Sequence, residues 1–519
     1  MGAVSLLARW LAAFCLLLAG NSGVSASEFR TPSITAVRVE WRAVLDQLRG
    51  EMSSRPAIAS RFSFAIRQRM VASDPRTTPA LVQLNAINSS IFESIGRSPV
   101  PVLLPFDTAA YLEAQAGGTP APAVVRHQAD FRPADFFHAG PSGYDAVFSL
   151  DPGAGAGLPP RTFVRPVEVQ ITGSLLIYDL ADPLGGRGVP VKALAGQFPD
   201  IRRFIREGYV RYAFTRFGVP YVVSIQCLDS APRPRRLACR EAYPIAERFL
   251  KALRIAGGQP ARPRVDMESQ VAERPVDRSP DFSYRPSGDI IANSSARNRG
   301  GRADLIAYSQ IRFPLAKALV LVSSQQFGKR GQQSVYPWRD NFCEARSFQV
   351  GQCSAGFGHQ GQDIRPVPCP PHSVSESACH PRKQAVLAVR DGMLIRSPRQ
   401  QAATLQINTG TEHIRFRYMH MNPSAMDADG VLNGRHVAEG EKIGVVSNYL
   451  DFPNGTSYHL HFDVQVFTRD GWIWVNPYTT LIAAYERLIR ARGRELGTDP
   501  PVAAVAHVLP EDVLRHSAR

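Results

Sequence analysis

Three short segments of this chain carry side chains that could hold a metal ion and move a proton. The first runs Gly356, Phe357, Gly358, His359, Gln360, Gly361, Gln362, Asp363. A His and an Asp four apart can share one face of a helix. Three glycines within six residues argue instead for a turn leading into a strand, and either geometry can aim both side chains at one point. The second segment is Tyr458, His459, Leu460, His461, Phe462, Asp463, Val464. In a strand, alternate residues face one side, so His459 and His461 project together at roughly 6–7 Å while Leu460 and Phe462 face the packed side. One imidazole can then ligate while the other reaches a substrate. The third, Arg417, Tyr418, Met419, His420, Met421, ends an extended run and adds one more imidazole. Singly these are weak signals, since a His–Asp pair is commonly a surface hydrogen bond and paired strand histidines are commonly just exposed. Jointly they supply a zinc set plus proton-transfer groups.

In order and spacing, His359, Gly361 and Asp363, then Tyr418 and His420, then His459, Leu460, His461 and Phe462 resemble the motif set of the lysostaphin and LytM type of zinc endopeptidases. The run from Val437 to Gly444 resembles the β-hairpin that precedes that family's His-x-His strand, and Val475, Asn476, Pro477 and Tyr478 resemble its exit. The resemblance covers about Leu305 to Ile489 and does not extend to the N-terminal half. It implies that His359, Asp363 and His461 bind one zinc ion, leaving a fourth position to water. It also implies that His420 and His459 transfer protons and stabilise the oxyanion, with His459 the expected base. Two His and one carboxylate with an open position suit a hydrolytic site, where zinc lowers the pKa of water to about 7 and polarises a carbonyl.

The implied activity is a zinc metalloendopeptidase that hydrolyses peptide cross-links of bacterial peptidoglycan. The implied fold is a mainly antiparallel β metallopeptidase domain with an open groove, of the duplicated hybrid motif kind. Two other readings compete: a catalytically silent, wall-binding activator of a separate amidase, and an endopeptidase acting on proteins. Against the first, every motif position is filled and no long heptad pattern occurs. A long stretch from Asp363 to Ala385, with Cys369 and Cys379, departs from the family and bears on substrate preference. His413, His436, His372 and His380 have no counterpart in it and read as ordinary surface histidines.

The rest of the chain must position these groups. At 519 residues it exceeds what one core normally organises, so two folded domains plus linkers are expected. The +15 formal charge favours polyanionic surroundings such as nucleic acid, an anionic membrane or a cell-wall polymer. No basic run interleaved with aromatics suggests a nucleic-acid platform. Arg9, an apolar stretch from Trp10 to Ala19 and then Val24, Ser25, Ala26 read as a secretory signal cut after Ala26. The apolar run is too short for a stable membrane anchor, and Asn21 stands where a lipoprotein signal needs Cys, so export to the periplasm, medium or wall is expected. Cys15 would leave with the signal. The other six fall into sequence-local pairs, which predicts disulfides Cys227–Cys239, Cys343–Cys353 and Cys369–Cys379; a zinc site of Cys369, His372, Cys379 and His380 is the alternative, but its spacing fits no usual ribbon or finger.

The spacing predicts helices over Val37 to Leu48 and Glu241 to Ile255, and extended chain over Val167 to Tyr178 and Tyr209 to Gln226. Residues 27–257 are therefore expected to form an α+β accessory domain. Residues 258–303, rich in Pro, Arg and Ser, read as a linker or strap that could cross the groove. Residues 304–492 are the expected metallopeptidase domain, and 493–519 a tail without chemistry.

Overall fold

The computed structural model describes residues 32–55, 61–62, 79–118, 130–150, 166–180, 188–206, 208–227, 237–260, 282–288, 307, 309–318, 320–322, 337–344, 359–366, 384–448 and 458–497. The expected signal segment, His372, His380, Cys353, Cys369, Cys379 and most of the strap lie outside them.

Strands β1 (Phe131–Gly140), β2 (Gly143–Leu150), β3 (Glu168–Ser174), β4 (Val189–Pro190), β5 (Arg202–Arg206), β6 (Tyr209–Arg216) and β7 (Val219–Gln226) form an antiparallel sheet. Their order is β1-β2-β3-β7-β6-β5-β4. Period-two alternation sorts β2: Tyr144, Ala146 and Phe148 enter an apolar core shared with helices α1 (Trp41–Ser53), α2 (Pro79–Asn88), α3 (Thr108–Ala116) and α4 (Ala242–Ala252). Helix α4 buries the stripe Ile245, Ala246, Phe249 and Leu250, and tolerates Pro244 because an N–H in the first turn has no intrahelical acceptor. The extended stretch expected from Tyr209 to Gln226 is the β6–β7 hairpin, turning on Phe217 and Gly218, whose positive φ values of 54° and 75° match the strand twist. Cys227 and Cys239 are bonded as expected, with S–S at 2.10 Å. Cys343 is also disulfide-bonded.

A second antiparallel sheet contains β8 (Val320–Val322), β9 (Gln362–Pro366), β10 (Gly392–Ile395), β11 (Ala403–Asn408), β12 (His413–Met419), β13 (His436–Val437), β14 (Leu460–Thr468) and β15 (Gly471–Val475). The order is β8-β9-β14-β12-β11-β10-β13, with β15 on the C-terminal half of β14. Its apolar face, including Leu405, Phe416, Leu460, Phe462 and Val464, packs in a core with Leu481, Ile482 and Tyr485 of helix α5 (Tyr478–Ile489). That helix starts after Pro477 at the expected exit and ends on Arg490 in the left-handed region, φ 54°. The described structure is thus mostly antiparallel β with few helices, and none of those helices is long and apolar enough to cross a membrane.

Two expectations need correction. Residues flanking the Val437 to Gly444 turn do not pair with each other: β13 pairs with β10, whereas Lys442–Val445 pairs with Ala385–Leu387. The strap is anchored in its middle, because Phe282–Tyr284 pairs in parallel with Gly493–Glu495 of the expected tail, and the Phe282 ring lies 5.1 Å from Trp338 and 4.9 Å from Tyr485. Buried aromatic rings hold that short strand in place despite its polar flanks.

The polar face of the first sheet docks on the polar face of the second, within one compact unit, Pro32–Arg519. Asp145 of β2 is 1% exposed and accepts from Arg415 at 2.8 Å and Thr172 at 2.6 Å. His413 is fully buried, with Nε2 2.8 Å from Asp145 and Nδ1 2.8 Å from Ser174. The surface assignment of His413 is therefore wrong, while His436 is exposed as expected. Alternating polar positions on a strand normally face water. Here a second sheet covers them.

Candidate metal centre

Strand register brings the first and second segments together. β9 pairs with β14 so that Asp363 opposes His461, and β14 pairs with β12 so that Met419 opposes His461. The turn expected before Asp363 delivers His359, whose backbone N–H donates to Glu344 O at 2.7 Å. His359 Nδ1 lies 3.1 Å from the Asn341 carbonyl, an acceptor that puts the proton on Nδ1 and turns the Nε2 lone pair into the site. Close approach dictates Gly361: a Cβ there would stand 2.6 Å from Phe462 O and 2.8 Å from His461 Nε2.

Around the resulting point, His359 Nε2 is 2.8 Å from His461 Nδ1 and 3.0 Å from Asp363 Oδ1, and His461 Nδ1 is 3.4 Å from Asp363 Oδ1. Metal bonds of about 2.0–2.2 Å in tetrahedral array give ligand separations of roughly 3.3 Å. This triangle of two imidazole nitrogens and one carboxylate oxygen therefore fits a zinc ion, and the three residues form a group able to hold a metal. Arg365 donates to the other oxygen, Asp363 Oδ2, at 3.2 Å, which leaves Oδ1 as the inward ligand atom. The three residues are only 5–7% exposed.

His459 and His420 sit beside this triangle. His459 Nε2 is 3.3 Å from Asp363 Oδ1, and its ring centroid is 4.7 Å from that of His420. His420 has φ 68°, a left-handed conformation uncommon outside glycine and of the kind that clusters at functional sites. Its Nδ1 lies 3.0 Å from Gln401 Oε1, an acceptor that leaves Nε2 as the basic nitrogen.

Burial first, then the neighbouring His459 and His461 imidazoles, holds the His420 pKa well below the usual histidine value. Burial would also lower His461, but hydrogen bonds to Asp363 and Asp463 outweigh it and raise the ring to about 9. For Asp363, burial is outweighed by His359, His459 and Arg365, which keep the carboxyl well below its ordinary range.

The structure thus gathers all five residues singled out in the sequence. Sequence reasoning missed the groups behind them. Asp463, two positions after His461 and on the same face, accepts from Arg417 Nε at 2.6 Å and Trp474 Nε1 at 3.1 Å. The available signal was its place in the His-x-His strand with the period of two.

No family model matches the chain, and no curated protein does. Among solved structures it is similar to a candidate glycyl-glycine endopeptidase LytM from Ruminococcus gnavus, at 18% identity and TM-score 0.23 over 37% of this chain and 65% of that one. CbpA from L. salivarius REN matches at 19% identity and TM-score 0.16 over 25% of this chain and 78% of that one. Csd3 from Helicobacter pylori matches at 13% identity and TM-score 0.19 over 73% of this chain and 60% of that one. The chain spans less than two thirds of the length of the first and third of these structures.

Proposed function

We propose that the protein is an exported zinc-dependent endopeptidase that hydrolyses the peptide cross-links of bacterial peptidoglycan. The observation that carries this reading is the triangle of His359 Nε2, Asp363 Oδ1 and His461 Nδ1, with two further imidazoles beside it. His359, Asp363 and His461 would hold the zinc. When bound, zinc supplies Lewis acidity for a peptide carbonyl and makes water nucleophilic near neutral pH. His459 receives the proton released from the attacking water, and its contact with Asp363 orients its ring. His420, kept neutral by burial and with its proton on Nδ1 toward Gln401, faces the same space as a second acceptor; its Nε2 takes up the further proton released as the bond breaks and passes it to the leaving amine.

Export is supported by the signal-like N-terminus and the Cys227–Cys239 disulfide. A net charge of +15 suits an anionic wall. The chain in this proposal comprises an accessory domain, a strap anchored at Phe282 and a catalytic domain. The test is incubation of purified peptidoglycan with the full chain, measuring released fragments by mass spectrometry and protein-bound zinc by elemental analysis. About one zinc per chain and newly cleaved cross-links are expected. Intact cross-links with zinc bound would favour the silent activator, and cleavage of protein substrates alone would favour a protein endopeptidase.

A further inference from the structure

Asp463 is fully buried on β14, on the same face as His461. Its Oδ2 lies 3.4 Å from His461 Nε2, while the other ring nitrogen, Nδ1, faces Asp363. Arg417 Nε donates to Oδ2 at 2.6 Å, and Trp474 Nε1 and Gln465 Nε2 donate to Oδ1 at 3.1 and 3.3 Å. A carboxylate fixed behind a ligating imidazole sets its tautomer and ring direction. The support continues into the other sheet. Arg211 of β6, 4% exposed, holds its guanidinium carbon 4.5 Å from the Trp474 ring centroid and donates to the Trp472 carbonyl on the same strand. That pins β15 from above, and with it the indole N–H that orients Asp463.

We infer that Asp463 is the positioning residue for His461 and that the N-terminal sheet, through Arg211 and Trp474, is part of the apparatus that sets the site's affinity for a divalent metal. This rests on the metal reading above. The N-terminal half then has a role in the chemistry through the position of a metal ligand.

The test uses the full chain and four variants. Asp463→Asn removes the carboxylate, Trp474→Phe removes the indole donor, and Arg211→Met removes the guanidinium while keeping a long apolar stem. Asn408→Ala is the control, because it breaks the contacts with Ser142 and Gly143 in the same interface but lies off this chain of contacts. Zinc affinity is read by competition with a chromophoric chelator, and ligand geometry by the absorption bands of the cobalt(II)-loaded protein. Asp463→Asn should weaken zinc binding by about 10- to 100-fold and shift the cobalt bands. Trp474→Phe and Arg211→Met should weaken it by a smaller factor, about three- to tenfold. Asn408→Ala should bind normally.

Asp463→Asn leaves Arg417 without its carboxylate and is the variant at most risk of misfolding, so Trp474→Phe and Arg211→Met carry the test if it does. Wild-type affinity in both would remove the N-terminal sheet from the apparatus. Unchanged affinity and spectrum in a folded Asp463→Asn protein would remove Asp463. Equal weakening in Asn408→Ala would reduce the effect to a loosened interface and overturn the inference. A wild-type chain that binds no zinc would instead refute the metal reading, so the two failures are told apart.

Discussion

Replacing Asp145 by Asn should cost about 3–5 kcal/mol of folding stability at pH 7, the usual result of removing one partner from a buried ion pair. The structure supports the upper part of that range. Asp145 is 1% exposed and its two oxygens take three donors, from Arg415 and Thr172 on Oδ1 and from His413 on Oδ2. An Asn amide keeps one acceptor oxygen. Its NH2 would take the place of one acceptor oxygen, and the buried Arg415 charge would lose its counter-ion.

The effect must also depend on pH. Burial raises the Asp145 pKa, but His413 and Arg415 outweigh it and hold the carboxyl below its ordinary value. A carboxyl depressed in the folded state contributes stability that is complete above its unfolded pKa, about 3.9, and is lost as pH falls toward its folded value. The gap between wild type and Asp145→Asn should thus be full at pH 7 and begin to narrow below about pH 4. Urea unfolding followed by tryptophan fluorescence, with a chelator present so that bound metal adds nothing, measures both quantities. Ser174→Ala, which deletes only the hydroxyl facing His413 Nδ1, should cost about 1 kcal/mol. A loss under about 1 kcal/mol for Asp145→Asn, the worth of an exposed pair, or a gap that does not narrow at low pH, would refute the reasoning.

Replacing His359, Asp363 or His461 by Ala should abolish both zinc content and peptidoglycan cleavage. His459→Ala or His420→Ala should keep zinc and lose rate by roughly 10²- to 10⁴-fold; a His459→Ala chain without zinc would show that the roles within the His-Leu-His strand are assigned wrongly. Gly361→Ala forces a methyl against Phe462 O and His461 Nε2, so it should destabilise the fold by about 1–3 kcal/mol and weaken zinc binding; normal values by calorimetry and chelator competition would contradict the packing. Changing both Cys227 and Cys239 to Ser should lower stability by about 3 kcal/mol in urea titration, with zinc content unchanged.

The sequence by itself, through local patterns joined to a resemblance to a known motif set, was enough to single out the five residues that the fold gathers at one point. A period of two aligns His459 with His461, and glycines before Asp363 announce a turn into a strand, here β9. The Cys227–Cys239 bond was equally legible, since 12 residues separate partners that a short loop can bring together. What only tertiary structure decided is which elements meet. His359 and His461 stand 102 residues apart, and their 2.8 Å approach follows from the β9–β14 register, with no trace in either segment alone. The run from Val437 to Gly444 was expected to form a hairpin from its resemblance to one, yet the strands on either side of its turn each find a different partner strand. His413, without a counterpart in the resembled motif set, was expected at the surface, and only the docking of the Asp145 face shows that a second sheet covers it. Trp474 and Asp463 likewise read as ordinary strand residues until Arg211, more than two hundred positions earlier in the chain, comes to rest on the indole. Periodicity states which side a residue faces; only the packed fold states what stands opposite.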